Sequence, residues 1–132
     1  MKGFDVIQLD HLSDARGFNT HPIDYDLLAS GKVSNVHIVS LAPGAARGNH
    51  THHRQTEYIF IMGGPCLVAA RNNETEEEFD LVQNHGQVQL YRVEPGVAHV
   101  FKNIGKDTIY ALCYSDLRFD PDNPDIHPTK VL

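Results

Sequence analysis

The run RGNHTHHRQTE, Arg47–Glu57, gathers three histidines, two arginines and one carboxylate. His50 and His52 stand two residues apart, so on a strand both rings leave the same face, while His53 leaves the other. The polar residues His53–Thr56 predict a turn. Glu57-Tyr-Ile-Phe-Ile-Met62 then reads as a strand that places Glu57, Ile59 and Ile61 together. Two of those three are aliphatic, which makes the shared face interior. A carboxylate there must be paired, protonated or bound to a cation, because burying it alone is costly. A second fragment, VEPGVAHVFKN, Val93–Asn103, turns at Pro95-Gly96 and puts His99, Phe101 and Asn103 in one strand phase. Three imidazoles and one carboxylate suit a divalent ion such as Zn, Ni, Fe, Mn, Co or Cu and leave one or two positions free. The same residues read also as a general base with helpers, or as a histidine-rich surface turn.

The elements that must hold these groups are strands. Val33–Leu41, Thr56–Met62, Leu67–Arg71, Phe79–Gln83, Val88–Val93, His99–Lys102 and Thr108–Tyr114 are apolar or alternating, and turn residues separate them. Helical periodicity is confined to Ile23–Val33, stopped by Gly31. Such spacing predicts an all-β sandwich or small barrel with at most one short helix. We expect one domain over 1–132: a core of about 33–116, an N-terminal strand or arm over 1–32 and a C-terminal extension over 117–132. The acidic run Glu74–Glu78 caps a hairpin in water.

Composition narrows the function. A net charge of −6 over 132 residues argues against a nucleic-acid partner, which needs a concentrated basic surface. No apolar run is long enough to span a membrane, and the N-terminus lacks the charged-then-apolar profile of a secretory signal. The expectation is a cytoplasmic protein with Cys66 and Cys113 as buried thiols.

These residues resemble the cupin superfamily. Gly44, His50, His52, Glu57 and Gly64 match its first motif; Gly86, Gly96, His99 and Asn103 match its second, with Pro95 one place later than usual. The resemblance implies a double-stranded β-helix, a jelly-roll barrel, with a metal on His50, His52, Glu57 and His99. Within the superfamily, SDARGF (Ser13–Phe18) and APGAARGNH (Ala42–His50) look like segments of dTDP-4-dehydrorhamnose 3,5-epimerases. The RGNH spelling and the FDPDNPD tail look closer to the cupin half of capsular nucleotide-sugar reductase/epimerases, and somewhat like dTDP-sugar ketoisomerases. That likeness implies a homodimer in polysaccharide biosynthesis acting on a nucleotide-linked keto-sugar. On the epimerase match His50 is the base, and Arg16 and Arg47 contact the sugar or its diphosphate, with Phe18 a further substrate-binding candidate. The chemistry of removing a proton beside a ketone adds His99 as the alternative base and a metal or Arg47 to stabilise the oxyanion.

The rhamnose-pathway epimerases work without metal, whereas this chain keeps every cupin ligand position, so His50 is either ligand or free base. Tyr58, Tyr91, Tyr110 and Tyr114 are the candidate acids, each also a packing aromatic. Asn19, His21, Tyr25 and Gln89 are further candidates for the pocket wall. Two other readings stand beside the epimerase: a metal-dependent oxygenase or isomerase of another small molecule, and a non-catalytic sugar-binding or structural cupin.

Overall fold

The computed structural model describes residues 1–132. Twelve strands run in chain order: β1 Phe4–Gln8, β2 His11–Asp14, β3 Gly17–Thr20, β4 Asn35–Leu41, β5 Ala46–Thr51, β6 Glu57–Met62, β7 Cys66–Asn72, β8 Glu78–Gln83, β9 Gln89–Val93, β10 Val97–Asn103, β11 Ile109–Ser115 and β12 His127–Pro128. The single helix, α1, covers Tyr25–Ala29 and begins where the Asp24 carboxylate accepts the backbone N–H groups of Asp26 and Leu27. Two five-stranded antiparallel sheets form the barrel, in the orders β1-β9-β6-β11-β4 and β12-β5-β10-β7-β8. β2 and β3 pair only with each other. The cupin jelly roll expected from the motifs is the fold observed.

The main core lies between the sheets, where Ile59, Ile61, Val68, Tyr91, Val97 and Phe101 interdigitate. A second cluster, Phe60, Val88, Leu90 and Tyr114, occupies the outer face of the first sheet beneath Leu9, Ile23, Leu27 and Val33. Strand β6 therefore buries both its faces, which explains its nearly continuous apolar sequence. A side-chain relay ties the arm to this sheet. Gln8 donates to Gln89, Gln89 to the Tyr91 hydroxyl, Tyr91 to Gln83, and Gln83 to the carbonyl of Ile61. Each buried amide finds a partner, so the relay costs little burial energy.

The arm and the extension reach further into the barrel than their composition suggests. β1 adds to the edge of the first sheet beside β9, and β12 adds to the second beside β5. No helix is long and apolar enough to cross a membrane.

Candidate functional site

Strands β5 and β10 meet where the site forms. His99 lies opposite His50, but the next residue of β10, Val100, pairs with Gly48, so Asn49 is an extra residue. This β-bulge takes a left-handed backbone at Asn49, φ 53°. Gly48 is required beside it: a Cβ there would lie 2.5 Å from the His99 carbonyl oxygen. The bulge bends β5 so that His50 and, one step past the strand, His52 both turn inward.

The rings converge. His50 lies 4.7 Å from His52 and 4.8 Å from His99, centroid to centroid. Glu57, at the start of β6, faces them across the barrel, with its Oε2 2.5 Å from His52 Nε2 and 3.5 Å from His99 Nε2. One nitrogen or oxygen from each of the four lies within 4.8 Å of the others. Three imidazoles and one carboxylate in such a cluster are residues that could hold a divalent transition metal.

Charge in this cluster is unevenly held. Burial pushes the His50 ring down to about 4, and positive charge on His99 and His52 adds to the effect against Glu57. Burial also works against a charged His52, yet the hydrogen bond and charge of Glu57 outweigh it and hold the ring above its ordinary value. Burial would raise Glu57, but hydrogen bonds from His52 and His99 hold its carboxyl well below the usual range. At neutral pH the site thus contains an ionised carboxylate and a neutral His50 with a free lone pair.

Two adjoining cavities of about 320 and 360 Å³ open onto the cluster and share His37, His50 and Glu57 in their walls. The first has an apolar lining that includes Ile59, Ile61, Phe101 and Ala111, with Arg47 beside it. The second is polar and is walled by the C-terminal segment through Arg118, Asp120, Asn123 and Asp125. Arg47 is exposed, and its Nε donates to the Ser40 carbonyl at 2.7 Å.

Of the residues expected at the site, His50, His52, Glu57, His99 and Arg47 come together. Arg16 and Phe18 do not. Both sit on β3 or its turn, away from the cavity walls. Arg16 is solvent-exposed and bound to Asp14, and Phe18 packs edge-on against Phe60 on the outer face of the first sheet. Strand phase removes the tyrosines too. Tyr58, Tyr110 and Tyr114 alternate with inward residues and point outward, while Tyr91 is locked into the glutamine relay. Gln89 belongs to that relay, and His21 and Tyr25 line a separate outer groove. Arg92 is engaged by Asp5 and Glu94. His37 was missed by sequence reasoning. Its signal was the alternation His37, Val39, Leu41, which puts an imidazole in phase with cavity-lining aliphatics on β4.

The sequence profile of the polysaccharide biosynthesis C-terminal domain family matches residues 13–127. The chain belongs to that family. Within and around it, the chain is 29% identical over 89 residues to UDP-2-acetamido-2,6-beta-L-arabino-hexul-4-ose reductase of Pseudomonas aeruginosa, covering 67% of this chain and 24% of that protein. It therefore spans about a quarter of that relative's length. The capsular polysaccharide assembling protein CapF of Staphylococcus aureus superposes with a TM-score of 0.70 at 23% identity, over 93% of this chain and 33% of that one. A dTDP sugar isomerase from Desulfovibrio desulfuricans gives 0.81 at 13% identity, over 97% and 84% respectively. These structural likenesses are ones of fold, the jelly roll described above.

Proposed function

We propose that this chain is a metal-binding cupin that shifts a proton beside the ketone of a nucleotide-linked keto-sugar, as an epimerase or isomerase of polysaccharide biosynthesis. The convergence of His50, His52, Glu57 and His99 at the junction of the two cavities carries the reading. A bound divalent ion would supply Lewis-acid stabilisation of the enolate oxygen. The chain's own groups supply the rest. The apolar wall of Ile59, Ile61 and Phe101 excludes water from one face of the sugar. Arg47 supplies a cation for the oxyanion or the diphosphate. A base removes the proton alpha to the carbonyl, and reprotonation of the enolate from the opposite face, or at a neighbouring carbon, completes the isomerisation. If His50 is occupied as a ligand, His37 is the imidazole left at the cavity to carry that proton; without metal the base is His50, with His99 beside it.

We read the functional unit as a cytoplasmic homodimer. Val36, Ile38 and Tyr110 leave an exposed apolar strip on the outer face of edge strand β4 and its neighbour β11, which a second copy would cover. In such a dimer Arg16 and Phe18 keep a substrate role only if the partner's β2–β3 hairpin reaches this cavity.

The test has two parts. Elemental analysis of chelator-free protein should find near-stoichiometric metal that is lost in a His50→Ala/His52→Ala variant. UDP- and dTDP-linked 4-keto-6-deoxyhexoses incubated in D₂O should gain deuterium beside the ketone, read by proton NMR. Metal without exchange on any such sugar would move the reading to the oxygenase class. Exchange without metal would make His50 the free base.

A further inference from the structure

His52 is held from both sides. Its Nε2 meets Glu57, while its Nδ1 meets the backbone carbonyl of Asp125 at 2.6 Å. Asp125 lies 73 residues further along the chain and is the only buried residue after Ser115. Its carboxylate accepts three consecutive backbone N–H groups, from His53 at 2.9 Å, Arg54 at 2.9 Å and Gln55 at 3.0 Å. The turn that follows His52 is therefore wrapped around one side chain. The residues beyond Asp125 continue the attachment. The His127 ring stacks on His53 at 3.6 Å, the Thr51 hydroxyl donates to Thr129, and Asn49 Oδ1 accepts the N–H groups of Val131 and Leu132.

We propose that Asp125 is a positioning residue that fixes the tautomer and direction of the His52 ring. The carbonyl, at 2.6 Å, is the nearer neighbour of Nδ1, the Gln55 amide lying 3.3 Å away. A carbonyl oxygen can only accept, so Nδ1 must carry a proton, and Nε2, which meets Glu57, is the nitrogen free to face an ion. The carboxylate acts one step removed: by gripping residues 53–55 it keeps its own carbonyl within reach of Nδ1. The consequence for affinity rests on the metal reading above; the consequence for the ring does not.

The experiment compares the natural protein with Asp125→Ala, Asp125→Asn and Thr129→Val, using Zn²⁺ as the probe ion. Thr129→Val loosens the same segment without touching Asp125. Competition against a chelator should show Zn²⁺ binding weakened about 10–100-fold in both Asp125 variants, with Thr129→Val unchanged. With Zn²⁺ bound, long-range proton–nitrogen NMR should find His52 protonated at Nδ1 in the natural protein and mixed between nitrogens in Asp125→Asn. A folded Asp125→Ala that keeps natural affinity and the Nδ1 proton would overturn the proposal, as would equal weakening by Thr129→Val. Should Asp125→Ala fail to fold, the natural protein decides alone: a proton on Nε2 with Zn²⁺ bound refutes it. Natural protein that takes up no Zn²⁺ removes the metal reading. In metal-free protein Nε2–H faces the Glu57 carboxylate, so there the readout is the Nδ1–H alone. Coupling across its hydrogen bond to the Asp125 carbonyl, present in natural protein and lost in Asp125→Asn, still decides the positioning role.

Discussion

Asp125 has an acid-range signature of its own. Burial would raise its carboxyl, but the N–H groups of His53, Arg54 and Gln55 outweigh burial and hold it at about 2, below an ordinary 3.8. A carboxylate with a depressed folded value contributes stability that is complete above pH 3.8 and disappears as pH falls from there toward 2. The amount is roughly 2 kcal/mol at neutral pH. Melting temperatures recorded from pH 6 to pH 2 should fall more steeply between pH 4 and 2 in the natural protein than in Asp125→Asn, which starts lower and cannot titrate; parallel curves would refute the assignment. The residue's role was not legible in the sequence. FDPDNPD reads as a polar, proline-broken surface stretch, and nothing local distinguishes its last aspartate from the two before it. Only the docking of that segment against residues 53–55, a long-range contact, buries one and leaves the others in water. The ligand histidines were legible for the opposite reason, because i, i+2 spacing is a local property that strand geometry converts directly into a shared face.

At the level of elements, the bulge between β5 and β10 decides where His50 points. Gly48 combines a φ of 108° with backbone contacts that leave no room for a methyl group, whereas Gly44, φ 79°, opens onto free space. Gly48→Ala should cost on the order of 3 kcal/mol and displace His99, while Gly44→Ala should cost only about 1–2 kcal/mol for its left-handed backbone. Urea unfolding of both variants measures the difference; equal midpoints would mean that the strand pair yields at the bulge. Most strands were readable from alternation and turn residues, as β6, β8 and β9 illustrate. β1 was not, since FDVIQ is short and its membership of the sheet depends on pairing with β9, far away in sequence. β12 is two residues long and has no pattern to read at all. Arg16 and Phe18 show a related limit: a motif identifies residue types, and the chain's path then carried their hairpin off the barrel mouth.

At the scale of the molecule, one side of the first sheet is covered by the chain's own segment from Leu9 to Val33 and the rest is bare. Ile38, 66% exposed on an edge strand, stands in the bare part. If a second copy covers it, Ile38→Glu should leave the far-ultraviolet spectrum and metal content unchanged while sedimentation shifts from dimer to monomer; a natural protein already monomeric at micromolar concentration would reject the dimer. The fold itself was legible because spacing, turn residues and the two histidine motifs agreed. The distribution of apolar surface was not, since an alternating strand looks the same whether its outer face meets water, an arm or another subunit. The extra residue in β5 carries one more consequence, for how the length of this chain can change. Substitutions around Asn49 leave the count of residues intact, but shortening the strand by one would restore simple alternation and turn either the histidines or Gly48 to the wrong side. Lengthening it by one would do the same. The exposed hairpin tip at 74–77 tolerates a change of length better; apart from Gly48 and His50, this strand can vary in letters but not in number.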